Sequence, residues 1–149
     1  MKKKVKSDRR NSQARKLSRK SVETYYSRIS LKKATEVTTD TILSVERVID
    51  IAVKYHKIKQ LEGTVNTDIK TVLYDEAYTF YEENNLVCPA WRVRIDLEPN
   101  PFLFEDYTFV VADSNRILIN VLNSNGHPVA DTSLEVTEEE IPYLMDEKM

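Results

Sequence analysis

Alternating apolar and polar side chains are clearest between residues 86 and 122, where they predict three β-strands. The first strand, 88–97, has apolar side chains on one face and charged side chains on the other. The two sets are Trp91, Val93, Ile95 and Leu97 against Arg92, Arg94 and Asp96. This pattern is typical of an antiparallel sheet with one covered face.

The next two runs, 107–112 and 117–122, flank a turn at 113–115 and are apolar on both sides along much of their length. A sheet that is apolar on both faces is expected to carry a helix on one side and another cover, such as a partner chain, on part of the other. A homodimer is therefore plausible. The outward face of the sheet is the predicted partner-binding surface, and its residues are Arg92, Arg94, Asp96, Leu118 and Asn120.

An amphipathic helix is predicted over about 41–61. Its apolar face would hold Ile42, Val45, Val48, Ile49, Ala52 and Tyr55, and its polar face Glu46, Arg47, Asp50 and Lys54. Thr39 or Asp40 is the expected N-cap, and Gly63 is expected where the helix ends. His56, beside the apolar face, is interpreted as a structural residue because no second metal ligand accompanies it.

Residues 67–84 fit two structures. The β-branched and aromatic runs 71–74 and 78–81 favour two strands, with a hairpin about Asp75 and Glu76. Ile69, Val72 and Phe80 also match helical spacing, so a helix is the alternative.

Length and composition indicate one globular domain, because the chain has 149 residues of which 41% are hydrophobic and 31% charged. A single cysteine, Cys88, and two histidines provide neither a disulfide nor a recognisable metal cluster. The sequence contains no nucleophile motif and no glycine-rich phosphate loop, so we expect a noncatalytic protein without a cofactor. Without a long apolar run or a secretory signal, cytoplasmic residence is the expectation, and nuclear residence is possible in a eukaryotic host.

Charge is distributed unevenly along the chain despite a formal net charge of only −2. Residues 1–33 hold 13 of the 22 Lys and Arg but two acids, whereas the remainder holds 9 basic and 22 acidic residues. The chain is therefore a basic arm on an acidic body.

The basic arm is expected to be disordered to about residue 10 and helical over about 11–30. Its composition suits an anionic partner such as nucleic acid, ribosome, anionic lipid or an acidic protein. The alternative is a solvated tail that docks on the acidic body. The predicted anion-contacting residues are Lys2, Lys3, Lys4, Arg9, Arg10, Arg15, Lys16, Arg19 and Lys20.

The C-terminal segment follows a short edge strand that residues 129 and 134–136 could add. Its acidic run, 138–146, contains interspersed apolar residues and fits a short helix or a peptide that docks in a partner's groove. A solvated, frayed terminus is the favoured interpretation. We thus expect a basic arm over 1–33, a single α+β domain over 34–136 and an acidic tail over 137–149.

A family resemblance rests on the predicted helix followed by short motifs at 73–74, 89–93, 107–113 and 117–118. In this order they resemble the PepSY-type propeptide domains of thermolysin-like proteases. Helix residues Ile51, Ala52 and Tyr55 precede the strand that contains Trp91. This order is similar to that of bacterial immunity proteins of the nuclear transport factor two-like fold. Both resemblances imply a helix laid on a curved antiparallel sheet, in agreement with the hydrophobic pattern. The predicted fold is therefore α+β, with one or two N-terminal helices packed on a curved antiparallel sheet of four to six strands, cystatin-like or nuclear transport factor two-like.

Both families also imply binding and inhibition of a protein, without chemistry of their own. The predicted function is therefore a noncatalytic protein-binding or inhibitor module, such as a bacterial immunity protein that blocks a basic toxin. The alternative is a nucleic-acid- or ribosome-associated factor that uses the basic arm.

Overall fold

The computed structural model describes residues 31–98 and 106–146. The predicted helix over 11–30 and the anion-contacting residues of the arm lie outside the described residues. The fold below is that of the acidic body together with residues 31–33 at the end of the basic arm.

The described residues form an α+β fold in which one main helix packs on a curved antiparallel sheet, as predicted. Six strands are present in this part of the chain: β1 (Lys32–Lys33), β2 (Thr64–Val65), β3 (Leu73–Phe80), β4 (Leu86–Asp96), β5 (Tyr107–Ala112) and β6 (Ile119–Leu122). The main helix is α1 (Val45–Lys59), and a short helix, α2 (Ile141–Met145), lies near the C-terminus.

The strand order is β1-β3-β4-β5-β6, with β2 pairing beside the end of β4. All pairings are antiparallel, and β4 is the longest strand at 11 residues. Its alternation is confirmed, since Trp91, Val93 and Ile95 are all buried on the face that packs against α1. Tyr55 of α1 meets Phe109 edge to face, with ring centroids 5.0 Å apart.

Helix α1 begins later than predicted, because Ser44 rather than Thr39 or Asp40 is its N-cap. The hydroxyl of Ser44 accepts a hydrogen bond from the N–H of Arg47 at 3.1 Å. At the other end Gln60, with φ 53°, takes the left-handed position expected of Gly63.

Gly63 also has a positive φ, 87°, but it serves a close approach to the sheet. A Cβ atom there would lie 2.8 Å from the carbonyl oxygen of Asp96. The glycine therefore lets the chain pass β4 on its way into β2.

Residues 73–80 form one strand, so the predicted hairpin about Asp75 and Glu76 is wrong. The register of β3 against β4 shifts between Asp75 and Tyr78, which marks a β-bulge. The buried carboxylate of Asp75 accepts hydrogen bonds from the N–H of Ala77 at 3.0 Å and from Arg92 at 3.2 Å. These bonds stabilise the bulge, because they pair a carboxylate that the strand would otherwise bury alone.

The C-terminal segment packs on the domain, so its interpretation as a solvated, frayed terminus is wrong. Leu144 of α2 is fully buried in the core beneath the sheet. Arg47 donates to the carbonyl oxygen of Leu144 at 3.0 Å, and Lys59 forms an ion pair with Glu140 at 2.9 Å. The apolar positions of this acidic run therefore have a partner within the chain itself.

Packing of this segment also changes the polar face of α1. Asp50 and Lys54, predicted on the polar face, are buried and form an ion pair at 3.2 Å. Lys54 also donates to the carbonyl oxygen of Asp146. The predicted edge strand is reduced to one bridge between Leu122 and Pro128, followed by a 3-10 turn at Thr132–Leu134.

Candidate protein-binding surface

The face of the sheet opposite α1, here called the outer face, has an apolar cluster of its own. Its members are Tyr78, Phe80, Ala90, Val110, Ala112 and Leu122, with Cys88 and Leu118 packed against them. Tyr78 and Phe80 of β3 stack edge to face at 4.8 Å. The chain thus buries part of its second apolar face by itself, where the sequence indicated another cover.

Curvature of the sheet makes the outer face concave. The hydroxyl of Tyr78 on β3 donates to Oδ1 of Asn120 on β6 at 3.0 Å, although β4 and β5 lie between these strands. In a flat sheet the two backbones would be about 14 Å apart. Since the side chains bridge this separation, β3 and β6 must curl toward each other across the outer face.

Arg92, which was predicted to face a partner, is tied into this concave face. Its guanidinium pairs with Asp75 at 3.2 Å and lies 5.8 Å from the ring centre of Tyr78. Its Nε is buried and has no hydrogen-bond partner among the described residues. Burial raises the pKa of Tyr78 to about 12, and the nearby Arg92 charge only partly offsets that effect.

The other four predicted surface residues lie in two different parts of the sheet. Asn120 lies in the same row as Arg92, across Val110, and Leu118 packs against the apolar cluster. Arg94 and Asp96 pair with each other at 2.7 Å toward the other end of β4, with half-exposed side chains.

The turn between β3 and β4 exposes apolar side chains that the sequence patterns did not single out. Tyr81 is 69% exposed, Val87 58% and Leu86 37%. Glu82 and Glu83 lie in the same turn. We call these five residues the hairpin tip. The sequence could have indicated it through the apolar residues on both sides of the turn at 84–85. Both asparagines of that turn have φ 59°.

A groove of about 200 Å³ runs along the beginning of β6, on the edge that faces away from β5. Apolar side chains line it, together with Asn120 and the acidic residues Glu82, Glu83 and Glu135. The apolar members are Phe80, Ile117, Leu118, Ile119 and Val136. This space, called the β6 groove below, is where the hairpin tip approaches β6 and the C-terminal segment.

Most cations of the described domain are neutralised within it. Residues 34–146 contain eight Lys and Arg, of which six form ion pairs with carboxylates. The six are Arg47, Lys54, Lys59, Arg92, Arg94 and Arg116. The charge left to act on a partner is therefore acidic.

Cys88, the one cysteine of the chain, lies beside the apolar cluster of the outer face. Burial raises the pKa of Cys88, which disfavours the reactive thiolate. Nowhere in residues 31–98 and 106–146 do three or more His, Cys, Asp or Glu side chains gather in a group that could hold a metal ion. His56 makes a structural contact, 3.0 Å from its Nε2 to the carbonyl oxygen of Glu62.

Comparison with known proteins adds no family. Neither the protein-family models, the curated proteins nor the solved structures give a match to this chain. Within the described part of the chain, the helices are too short or too polar to cross a membrane.

Proposed function

We propose that this chain is a noncatalytic protein-binding module whose acidic domain binds a basic protein, in the manner of an immunity protein that blocks a basic toxin. The observation that carries the proposal is the hairpin tip, where exposed Tyr81, Leu86 and Val87 stand beside Glu82 and Glu83. Tyrosine is enriched among the residues that dominate binding energies at protein interfaces.

Electrostatics supports the choice of a basic partner. Because six of the eight cations in 34–146 are already in ion pairs, the unpaired surface charge is negative. A negative field speeds encounter with a basic protein and suppresses acidic partners. Binding should therefore weaken as the salt concentration rises.

The alternative function is that of a nucleic-acid- or ribosome-associated factor, and the specific observation in its favour is the excess of Lys and Arg in residues 1–33. Since the domain itself is acidic, this activity would belong to the arm.

A pull-down from host lysate separates these functions. The bait is the full chain, with and without nuclease treatment, beside a chain that lacks residues 1–20. A stoichiometric basic protein that is recovered after nuclease treatment, and without residues 1–20, supports the proposal. Recovery dominated by RNA or DNA, lost with nuclease or with the arm, would overturn it.

The recovered partner then tests the hairpin tip directly. Replacing Tyr81 with serine and Val87 with threonine should raise the Kd by about tenfold or more, because both side chains would lose burial in the interface. Ile42→Thr is the matched control, since Ile42 is 57% exposed and lies outside the hairpin tip. Equal affinities for the double variant and the control would remove the tip from the interface.

A further inference from the structure

We infer that the β6 groove receives an extended segment of the basic partner, which adds a strand beside β6 and places a lysine or arginine side chain in the groove. This inference rests on the proposed function and adds to it the mode of recognition. It concerns a surface separate from the exposed apolar side chains of the hairpin tip.

The backbone of β6 offers an unpaired edge at Ile119, because Val129 and Pro128 already pair with the later part of the strand. The carbonyl of Leu118 accepts from the N–H of Ala112 at 2.9 Å and so points toward β5, whereas the carbonyl of Val121 accepts from Val129 at 2.8 Å and points away. Because peptide groups alternate along a strand, those of Ile119 also point away from β5. The Ile119 carbonyl has a long contact, 3.5 Å, with the side chain of Asn120. An extended peptide can pair with such an edge through its main chain.

The groove beside this edge fits one long cationic side chain. Its volume of about 200 Å³ is below the roughly 300–1,000 Å³ of small-molecule sites. Phe80, Leu118 and Val136 provide apolar contacts for an aliphatic stem. Glu82 and Glu135 provide carboxylates for the charged end, as lysine and arginine stems pack on apolar surface while their charges stay near water.

The negative charges at the groove favour a basic segment over a second copy of this chain. Glu82 and Glu135 form no ion pair among the described residues, and Glu83 has only a loose pair with the exposed Arg116 at 3.2 Å. A second copy of the chain, paired edge to edge through β6, would bring like charges together, which is unfavourable. A basic partner segment avoids that repulsion and is attracted to the carboxylates of the groove.

The test starts from a random peptide library displayed on phage and selected on the full chain. We expect enriched peptides to carry a lysine or arginine flanked by β-branched or aromatic residues, without a central proline. A synthetic consensus peptide, titrated into ¹⁵N-labelled full chain, should shift the amide signals of Ile117, Leu118, Ile119 and Asn120 more than those of Tyr81, Leu86 and Val87, the apolar residues of the hairpin tip.

Two variants and one modified peptide make the result decisive. Glu82→Gln with Glu135→Gln should weaken the consensus peptide about fivefold. Glu138→Gln with Glu139→Gln is the matched control, because these exposed acids do not line the groove and should leave the affinity unchanged. N-methylation of the peptide at alternate amides should abolish binding in one register and spare it in the other, since only one edge of the added strand faces β6.

Several outcomes would overturn the inference. They are the absence of enriched peptides, enrichment of peptides without a cation, shifts confined to Tyr81, Leu86 and Val87, or a dimer paired through β6 in solution. If a basic protein is still recovered in the pull-down, the proposed function survives these outcomes and only the mode of recognition fails.

Discussion

Replacing Asp113 with alanine should destabilise the domain by about 3–4 kcal/mol, because this buried carboxylate joins three parts of the chain. It stands directly after β5 and is 6% exposed. Its oxygens accept hydrogen bonds from the N–H of Ile42 at 3.0 Å and of Leu43 at 2.7 Å, and from the indole N–H of Trp91 at 3.2 Å. It thereby fixes the approach to α1 against the centre of the sheet.

The magnitude follows from the donors that are left unpaired. A hydrogen bond to a charged group contributes about 1.5–3 kcal/mol, and a buried unpaired donor costs about 1–3 kcal/mol. Ile42 is largely exposed, so water can replace its bond, and the loss falls on Leu43 and Trp91. About 3–4 kcal/mol is a large share of the roughly 5–15 kcal/mol that stabilises a typical domain.

Urea unfolding followed by far-ultraviolet circular dichroism measures the loss. Trp91 is the sole tryptophan of the chain, so its fluorescence reports in parallel on the hydrogen bond that is removed. Asp113→Asn keeps one acceptor oxygen and should lose only about 1–2 kcal/mol. Asp40→Ala, at an exposed aspartate, is the control and should stay within about 0.5 kcal/mol of the native chain. A similarly small effect for Asp113→Ala would refute the reasoning.

Three further predictions concern the core, the pH dependence and the backbone. Leu144→Ala should cost about 2–5 kcal/mol in urea unfolding, whereas Met145→Ala, at an exposed site, should cost little; equal effects would mean that α2 is not docked. The pKa of Tyr78 is raised to about 12 in the folded domain. The protonated hydroxyl therefore contributes its full share to the free energy of unfolding below pH 10, and this share is lost as the pH rises toward 12. Tyr78→Phe should therefore flatten the alkaline fall in stability, and an unchanged pH profile would contradict that assignment. Gly63→Ala should destabilise more than Gly126→Ala in thermal unfolding, since both have positive φ but only Gly63 faces a backbone atom at 2.8 Å; the reverse order would exclude the close approach as the cause.

The sequence by itself determined the elements whose side-chain period is local. Alternation along β4 assigned Trp91, Val93 and Ile95 to the core and Arg92 to the opposite face, and the structure agrees. Helical spacing likewise located α1 to within a few residues of its ends. These predictions succeed because a residue's face depends only on its neighbours in the same strand or helix.

The partners of charged side chains could not be predicted in this way. A hairpin was expected about Asp75, but the structure has one bulged strand there. The buried Asp75 at the bulge pairs with Arg92, a residue on another strand. Asp50 and Lys54 are buried because α2, which is distant in sequence, returns to pack on α1. A sequence pattern shows which residues are charged, but the burial of a charge depends on which segment comes to lie over it.

The candidate surface likewise has some features that the sequence predicts and others that only the tertiary structure shows. From the sequence alone came an acidic body, a sheet with two apolar faces, and an outer face that contains Arg92 and Asn120. Only the tertiary structure decided that Tyr78 bridges to Asn120, that the outer face is concave, and that a groove with acidic side chains lies along β6. Curvature and free edges arise from pairing between distant strands, which no local period encodes.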